Sequence, residues 1–308
     1  GKTIMAIELA QKYLDNGKKV GFLCFNKKLG AFLESSFKSY DLNDSFIGTF
    51  HNFLYKHVDS KSKNIDNDYF STELPFQYLI ENEESYKEFD VLIIDEIQDL
   101  LTDLYLEVFN TMLTKGMNNG KWIFFGDFSN QAIYSKNIEL SLNIFKEKYN
   151  FVSFPKLKIN CRNSLSIAEQ NTLMTGTEKL EVNQIEISDK ILDYFTENSI
   201  VKVDDILKKL EIEKVEFKQI TVLSVNKGDV VLFPNWKKKG VIFSTIHSFK
   251  GLENTIIILF GFKNILTDAS QKLLYIGISR AKQRLYLILD SSLKRDYAQL
   301  IKKNIKLI

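Results

Sequence analysis

The sequence predicts an α/β protein of two domains, each built on a parallel sheet with helices on both faces. Over most of the 308 residues, apolar runs rich in β-branched side chains alternate with segments of helical spacing. This alternation is the order that parallel sheets require. The length corresponds to two domains on a prior of one domain per ~150 residues. We place the domains at residues 1–154 and 155–308.

In the first domain, a helical pattern precedes the first apolar run. It extends from Ile4 to Leu14 and is ended by Asn16-Gly17. The charge-rich stretch from residue 55 to 88 is predicted to be an insertion. The predicted strands are Val20–Phe25, Phe46–Thr49, Phe89–Ile94 and Trp122–Phe125, and a further helix covers Leu29–Phe37.

The second domain shows the same alternation with longer polar connections. One helix begins near Ser164 and another covers Ser270–Lys282. The stretch from about Thr175 to Phe217 is predicted to be charged, helical material at the periphery. The predicted strands are Leu157–Asn160, Ile220–Val225, Val241–Thr245, Thr255–Phe262 and Leu285–Leu289.

The composition excludes several classes of protein. A chain with 44% apolar and 26% charged residues is ordinary for a globular protein. No apolar run approaches the ~18–20 residues that span a bilayer, and no secretion signal is visible, so we expect a cytoplasmic location without membrane contact. Cys24 and Cys161 lack a His or Cys at metal spacing and are predicted to be reduced thiols. With a net charge of +2, a basic nucleic-acid footprint would have to be local.

Gly1-Lys2-Thr3 stands directly before the first predicted helix and matches the end of a phosphate-binding loop. In such loops backbone N–H groups hold phosphates, the lysine reaches the β- and γ-phosphates, and the hydroxyl binds Mg²⁺. The tripeptide alone is a weak signal. Because no methionine precedes it, we interpret the chain as lacking the upstream strand and first glycine of this motif.

Asp95 and Glu96 follow the predicted buried strand Phe89–Ile94. Ligands of α/β sheets bind beyond the carboxyl ends of the strands. In phosphoryl transfer one carboxylate holds Mg²⁺ and another orients the attacking water. The alternative is an acidic helix start, since carboxylates favour helix N-termini. The upstream Lys2-Thr3 pair favours the catalytic interpretation.

Seven short segments resemble, in chain order, the motifs of UvrD/Rep-like superfamily 1 helicases. They are Phe25-Asn26-Lys27-Lys28 (motif Ia), Thr49-Phe50-His51 (the TFH segment), Asp95–Asp99 (motif II), Gly126–Gln131 (motif III), Asn160–Ser164 (motif IV), Thr245–Glu253 (motif V) and Leu274–Ala281 (motif VI). Motifs II, V and VI are specific, whereas motif Ia and the TFH segment are weak alone. The resemblance implies two RecA-like P-loop NTPase domains, with ATP and Mg²⁺ bound in a cleft between them.

The resemblance also implies roles for individual residues. Nucleotide binding falls to Gly1, Lys2, Thr3, Asp95 and Glu253, of which Thr3 and Asp95 bind Mg²⁺. Catalysis falls to Glu96, Gln131, Arg162 and Arg280. Nucleic-acid contact falls to Phe25, Asn26, Lys27, Thr49, His51, Tyr134, Thr245 and His247. Core packing is the alternative for the aromatic residues, and helix capping or core packing is the alternative for His247.

Arginine is rare in this chain. Of 41 lysines and arginines only four are arginines, and Arg162 and Arg280 occupy the two places where the family supplies cations to the transferred phosphate. Lysine does not offer the planar, always charged fork of arginine, and an arginine finger is worth ~10³–10⁵ in rate. The composition therefore favours a catalytic role over a surface role for both.

Three departures from the family pattern are visible. Cys161 stands where family members carry a tyrosine that stacks on adenine, so base selectivity is in doubt. Ser135 follows Tyr134 where the family offers an aromatic residue that separates bases. About 80 residues separate motifs IV and V, too few for the large accessory subdomain of full-size members. The chain resembles compact helicase-like modules that are fused to nuclease or other effector domains.

We therefore expect an ATP-hydrolysing translocase or DNA helicase that acts on single-stranded or partially duplex DNA, in the 3′ to 5′ direction of the family. No residue decides between DNA and RNA, and none indicates an oligomeric state. One alternative is a catalytically weak, helicase-like nucleic-acid sensor or scaffold, against which Glu96 and the two arginines argue. Another is a nucleotide kinase, which does not need motifs V and VI.

Overall fold

The computed structural model describes residues 1–42, 44–59, 68–82, 88–127, 145–149, 157–183 and 190–308. The chain divides into two compact units, Lys2–Pro155 and Lys156–Ile308, and Gly1 is grouped with the second. Each unit has its own main sheet.

The first unit is built on four strands. Its helices and strands are α1 Lys2–Asp15, β1 Val20–Cys24, α2 Lys27–Ser36, β2 Phe46–Thr49, α3 Phe50–Lys56, α4 Leu74–Glu81, β3 Val91–Asp95, α5 Asp103–Met112, α6 Gly116–Asn119 and β4 Lys121–Phe124. A π-helical turn over Tyr69–Glu73 precedes α4, and a 3-10 turn over Ile97–Asp99 follows β3. The strands are parallel in the order β2-β1-β3-β4. Their carboxyl ends therefore lie at one edge of the sheet.

Strands β1 and β3 form the centre of this sheet. Every residue of both strands is buried, as is typical of parallel strands covered on both faces. A Cβ at Gly21 would lie 2.5 Å from the ring of Phe89, so glycine allows that ring to pack directly against β1. Leu74 and Tyr78 of α4 also join the core, so part of the stretch predicted as an insertion contributes to packing.

The second unit has a main sheet of five strands. Its elements are β5 Ile159–Asn160, α7 Leu165–Thr175, β6 Glu181–Val182, β7 Lys190–Thr196, α8 Ser199–Ile212, β8 Ile220–Ser224, α9 Pro234–Lys238, β9 Ile242–Thr245, β10 Asn254–Phe260, α10 Asp268–Ile278, β11 Ala281–Asp290 and α11 Lys294–Asn304. The main sheet is parallel in the order β7-β11-β10-β8-β9. Strands β5 and β6 form a separate parallel pair. The predicted α/β class with parallel sheets is confirmed.

Two local expectations for the second unit are wrong. The stretch from Thr175 to Phe217 is not peripheral, because β7 forms the edge of the main sheet and α8 buries Leu207 in the core. The sequence pattern misleads for two reasons. Asp193 interrupts one apolar face of β7, and the charged residues of α8 outnumber its buried apolar residues. In addition, the helix predicted over Ser270–Lys282 ends earlier, at the end of α10, and β11 follows after only two residues.

Candidate functional site

Thr3 and Asp95 are in contact in the first unit. Thr3 lies in the first turn of α1, Asp95 ends β3, and the Thr3 hydroxyl donates to Asp95 Oδ2 at 2.6 Å. Asp95 is fully buried. Burial, and then the charge of Glu96, raise the pKa of Asp95 to about 6, while the Thr3 hydroxyl and the charge of Lys2 act in the opposite direction. The structure thus brings together the two residues predicted to hold Mg²⁺.

The oxygen atoms of this pair fit Mg²⁺. Proteins bind this hard cation through one or two carboxylates together with substrate phosphates and water. Within the described ranges, no group of three or more His, Cys, Asp and Glu side chains is gathered at one place, so a pair rather than a complete protein cage is what the chain offers there. A bound cation would also favour the charged form of the buried Asp95 carboxyl.

Glu96 has a left-handed backbone conformation, with φ 57° and ψ 42°. Its N–H donates to Asp95 Oδ1 at 3.0 Å, and its carboxylate accepts from Gln98 Nε2 at 2.5 Å. A non-glycine residue in this conformation costs about 1–3 kcal/mol, and such strain clusters at functional sites. Because of this turn, two successive carboxylates at the end of β3 have different partners.

Gln98 is a functional candidate that the sequence reasoning missed. Its side chain is almost fully buried, and besides the bond to Glu96 it accepts the backbone N–H of Asp127 at 3.1 Å. Its place within motif II was the available signal. The spacing of residues in the sequence does not show which two groups the Gln98 amide hydrogen-bonds.

Residues predicted to contact nucleic acid follow the carboxyl ends of β1 and β2. Asn26 caps α2 and Thr49 caps α3, each through a side-chain oxygen that accepts backbone N–H groups. Phe25 precedes the first cap and Lys27 begins α2. The ring centroids of Phe25 and His51 are 5.4 Å apart, so the two motif segments meet at this edge of the sheet.

His51 lies in a cluster of aromatic rings. Its Nε2 is 3.2 Å from the hydroxyl of Tyr105, and the rings of Phe50 and Phe70 pack edge-on against it. Burial lowers the pKa of His51 to about 4. The imidazole is therefore neutral at pH 7, and any contact with nucleic acid would use hydrogen bonding or stacking rather than charge.

In the second unit, predicted site residues lie at two opposite edges of the main sheet. Thr245 ends β9, and His247 follows it, so both lie at the carboxyl edge. Glu253 immediately precedes β10 and Arg280 immediately precedes β11, so both lie at the amino edge. The residues assigned to nucleotide and to nucleic acid are thus separated by the length of the strands.

The Glu253 carboxylate joins two cations. It accepts from Arg162 Nε at 2.5 Å and lies 2.7 Å from Lys282 Nζ. Burial alone would raise the pKa of Glu253, but the charge of Arg162 and the bonds from both cations lower it to about 2. The structure therefore brings together two predicted residues that are 91 positions apart in the chain, and it adds Lys282, which spacing did not indicate.

Arg280 is a buried arginine, only 1% exposed. Its Nε donates to the carbonyl of Ile276 at 3.1 Å and its Nη1 donates to the carbonyl of Leu252 at 3.3 Å. Asn163, another residue that the sequence reasoning missed, donates to the carbonyls of Ser279 and Ala281 on either side of Arg280, at 3.2 and 2.6 Å. The side chain of Asn163 in motif IV is therefore tied to the backbone of motif VI.

At the carboxyl edge, Thr245 and His247 shape a tight turn. The Thr245 hydroxyl donates to Ser248 Oγ at 2.9 Å and accepts the Ser248 N–H at 3.2 Å. His247 begins a 3-10 turn, and burial, followed by the charge of Lys250, lowers its pKa. Both residues are placed after a strand end, in the same way as Thr49 and its neighbours in the first unit.

For the remaining predicted residues, the structure gives either a position alone or no description. Gln131 and Tyr134 lie outside the described residues. Gly1 directly precedes α1. In the described residues neither cysteine forms a disulfide; Cys24 is buried and Cys161 is exposed.

Comparisons with known proteins agree with the motif order. The family model for the UvrD-like helicase C-terminal domain matches residues 240–288, and the model for the type III restriction enzyme res subunit matches residues 1–113. None of the curated proteins matches the chain. In the described part of the chain, no helix is long and apolar enough to cross a membrane.

Two solved structures match the chain at low sequence identity. The C-terminal domain of a possible DNA helicase from Lactobacillus plantarum WCFS1 is 19% identical with a TM-score of 0.36, over 46% of this chain and 94% of that chain. The arterivirus nonstructural protein 10 helicase is 15% identical with a TM-score of 0.48, over 98% of this chain. The chain spans 59% of the length of that viral protein.

The two family matches agree with the resemblance carried by the motifs. The chain is similar to superfamily 1 helicases, and both of its units are α/β with parallel sheets. Helicase-like proteins of this class are nucleic-acid-binding NTPases.

Proposed function

We propose that the protein hydrolyses ATP, with Mg²⁺, to translocate along single-stranded DNA and to unwind partially duplex DNA. The observation that supports this proposal most directly is the arrangement at the end of β3. There the Thr3 hydroxyl donates to the buried Asp95, while the Glu96 carboxylate accepts from Gln98. A hydroxyl, a metal-binding carboxylate and a second acidic group for the water are the parts that a P-loop hydrolase requires.

In this proposal, each predicted nucleotide-binding or catalytic residue of the first unit has one task. Lys2, at the start of α1, offers its charge together with helix N–H groups to the β- and γ-phosphates. Thr3 and Asp95 supply oxygen ligands for Mg²⁺, which neutralises phosphate charge when bound. Glu96 orients the attacking water and accepts its proton. By resemblance, Gln131 senses the γ-phosphate.

The arginines of the second unit supply fixed positive charge to the transferred phosphate. Arg162 is held at Nε by Glu253, and Arg280 is held by two backbone carbonyls. Cations that are fixed in advance stabilise developing charge without reorganisation during the reaction. Glu253 is assigned in addition to the nucleotide ribose, as the resemblance implies.

Nucleic-acid binding is assigned to the residues at the strand carboxyl ends. These are Phe25, Asn26, Lys27, Thr49 and His51 in the first unit, and Thr245 and His247 in the second. Tyr134, outside the described residues, is assigned to nucleic acid by resemblance alone. Base stacking on an aromatic ring contributes about 1–3 kcal/mol and tolerates any sequence. This suits a translocase, which must hold every base in turn. The preference for DNA and the 3′ to 5′ direction are taken from the resemblance.

The test is ATP hydrolysis by the full chain with and without single-stranded DNA, beside the Glu96→Gln variant. We expect stimulation by DNA in the wild type and none in the variant. An RNA strand of the same sequence and forks with a 3′ or a 5′ tail then test the nucleic acid and the direction. If the wild type hydrolyses no more ATP than the variant and yet binds DNA, the proposal fails and a sensor or scaffold remains.

A further inference from the structure

The hydrogen bonds between the chain after β3 and the chain after β4 depart from a regular parallel ladder at Glu96. The Phe125 N–H donates to the Ile94 carbonyl at 2.8 Å, and the Ile97 N–H donates to the Phe125 carbonyl at 2.9 Å. In a regular ladder the second donor would be residue 96. The Glu96 N–H instead bonds the Asp95 carboxylate. One extra residue is thus inserted at this point, as in a β-bulge.

Gln98 continues this contact where the backbone ladder ends. The next N–H that points toward the β3 chain is that of Asp127, and it donates to Gln98 Oε1 at 3.1 Å. The other end of the same amide donates to Glu96 Oε2 at 2.5 Å. These partners fix the orientation of the amide, because a carboxylate requires a donor and an N–H requires an acceptor. One planar group therefore joins the Glu96 carboxylate to the backbone at Asp127.

Burial makes this connection strong. Gln98 is 1% exposed and Glu96 is 6% exposed. A hydrogen bond to an ionised group is about twice as strong as a neutral one, and low local polarity strengthens it further. The amide therefore constrains the rotamer of Glu96, and the Asp127 N–H constrains the amide.

We propose that Gln98 is a positioning residue for ATP hydrolysis, which holds the Glu96 carboxylate in register with the backbone at Asp127. The inference rests on the proposed function, in which Glu96 orients the attacking water. Gln98 itself does not touch the reacting atoms. A change in the position of Asp127 is transmitted to the hydrolytic carboxylate through one buried amide that is hydrogen-bonded at both ends.

Two substitutions separate the two bonds of the amide. Gln98→Met keeps the length of the side chain and removes both bonds. Gln98→Glu keeps an acceptor for Asp127 but replaces the donor to Glu96 with a second acid. We expect kcat with saturating ATP and single-stranded DNA to fall about 10²-fold in both, the cost of a misplaced reacting group, with KM for ATP changed by less than about threefold.

Gln170→Met is the matched control. Gln170 is also a buried glutamine whose amide donates to a carboxylate, that of Asp193 at 3.0 Å, but it lies in the second unit among α7, β7 and α11. We expect this variant to lose thermal stability and to keep kcat. The melting temperature of each variant, measured beside its kinetics, separates a loss of stability from a loss of positioning.

The outcomes distinguish the inference from the function on which it rests. A wild type that does not hydrolyse ATP contradicts both. An active wild type whose kcat survives Gln98→Met, or falls equally with Gln170→Met, contradicts the positioning role alone. A Gln98→Glu variant with wild-type kcat shows that the bond to Glu96 is not needed, and it also overturns the inference.

Discussion

The acids at the end of β3 and the acid before β10 have opposite electrostatic surroundings. Burial, and then the charge of the neighbouring Glu96 carboxylate, raise the pKa of Asp95 to about 6, although a hydroxyl and a backbone N–H donate to it. Glu253 has two cations within 2.7 Å, and its pKa is lowered to about 2. Both are carboxylates of partly or fully buried residues near strand ends. The neighbouring charges, a carboxylate beside Asp95 and two cations beside Glu253, give the pKa shifts their opposite directions.

Under the proposed function, the two units would handle phosphate in different ways. The two acids at the end of β3 place negative charge in a buried position, which suits the Mg²⁺ that we propose there. In the second unit the Glu253 carboxylate is paired with Arg162 and Lys282, and Arg280 is a further cation, next to β11. Removing a carboxylate should therefore have opposite effects on stability in the two units.

The largest expected effect is that of Asp95→Asn. ATP hydrolysis should fall to background, because a ligand for Mg²⁺ is lost. The melting temperature of the nucleotide-free protein should nevertheless rise by a few degrees at pH 8. The pKa of Asp95 in the folded protein, about 6, lies above the ordinary 3.8. The native state is therefore penalised above about pH 6, and the penalty disappears toward pH 4.

Calorimetry between pH 4 and pH 8 without Mg²⁺ tests whether Asp95→Asn raises the melting temperature. The gain from Asp95→Asn should be greatest at pH 8 and should vanish near pH 4. Asp44→Asn is a control at an acid that is 71% exposed, and it should give no such gain. A less stable Asp95→Asn protein at pH 8 would mean that the acids at the end of β3 are already balanced.

Arg280→Lys should reduce ATP hydrolysis about 10³-fold, the lower end of the range for an arginine finger. Lysine keeps one positive charge but not the fork that bonds two carbonyls at once. Arg295→Lys is the matched control, since Arg295 is exposed at the start of α11. Steady-state kinetics with single-stranded DNA measure both variants, and circular dichroism verifies folding. An Arg280→Lys protein with the control's kcat would remove Arg280 from the catalytic assignment.

Glu253→Gln should lower the melting temperature by a few degrees at pH 7, the opposite sign to Asp95→Asn. The pKa of Glu253 in the folded protein lies below the ordinary 4.5. Its stabilising contribution is therefore present above about pH 4.5 and is lost as the pH falls toward 2. Thermal melts from pH 7 to pH 3.5 should show wild type and variant converging.

The control for Glu253→Gln is Glu169→Gln. Glu169 has a similar exposure, and its described ion pair is with Lys179 at 2.7 Å. We expect a smaller loss there. An equal loss of melting temperature at the two positions would show that the second cation at Glu253 adds nothing to stability. The comparison between the units would then rest on burial alone.

Local sequence patterns predict the sheets and the ends of their strands, but not the contacts between distant segments. The apolar run before Asp95 and the lone Arg162 are legible because each has a local signature. The pairing of Arg162 with Glu253 depends on how the segments before β10 and after β5 fold together, and no spacing encodes it. The role of Gln98 depends on the left-handed turn at Glu96. The roles of Gln131 and Tyr134 stay predictions.

The smallest expected effect is that of Lys282→Met, and it decides which cation balances Glu253. Lys282 is 42% exposed, whereas Arg162 is 23% exposed. Exposed ion pairs contribute about 0–1 kcal/mol, so the melting temperature should fall by no more than about 2–4 °C. The difference from wild type should shrink as salt screens the pair. A loss as large as that of Glu253→Gln, unchanged by salt, would instead make Lys282 the main partner, and Arg162 would then be less firmly held than we propose.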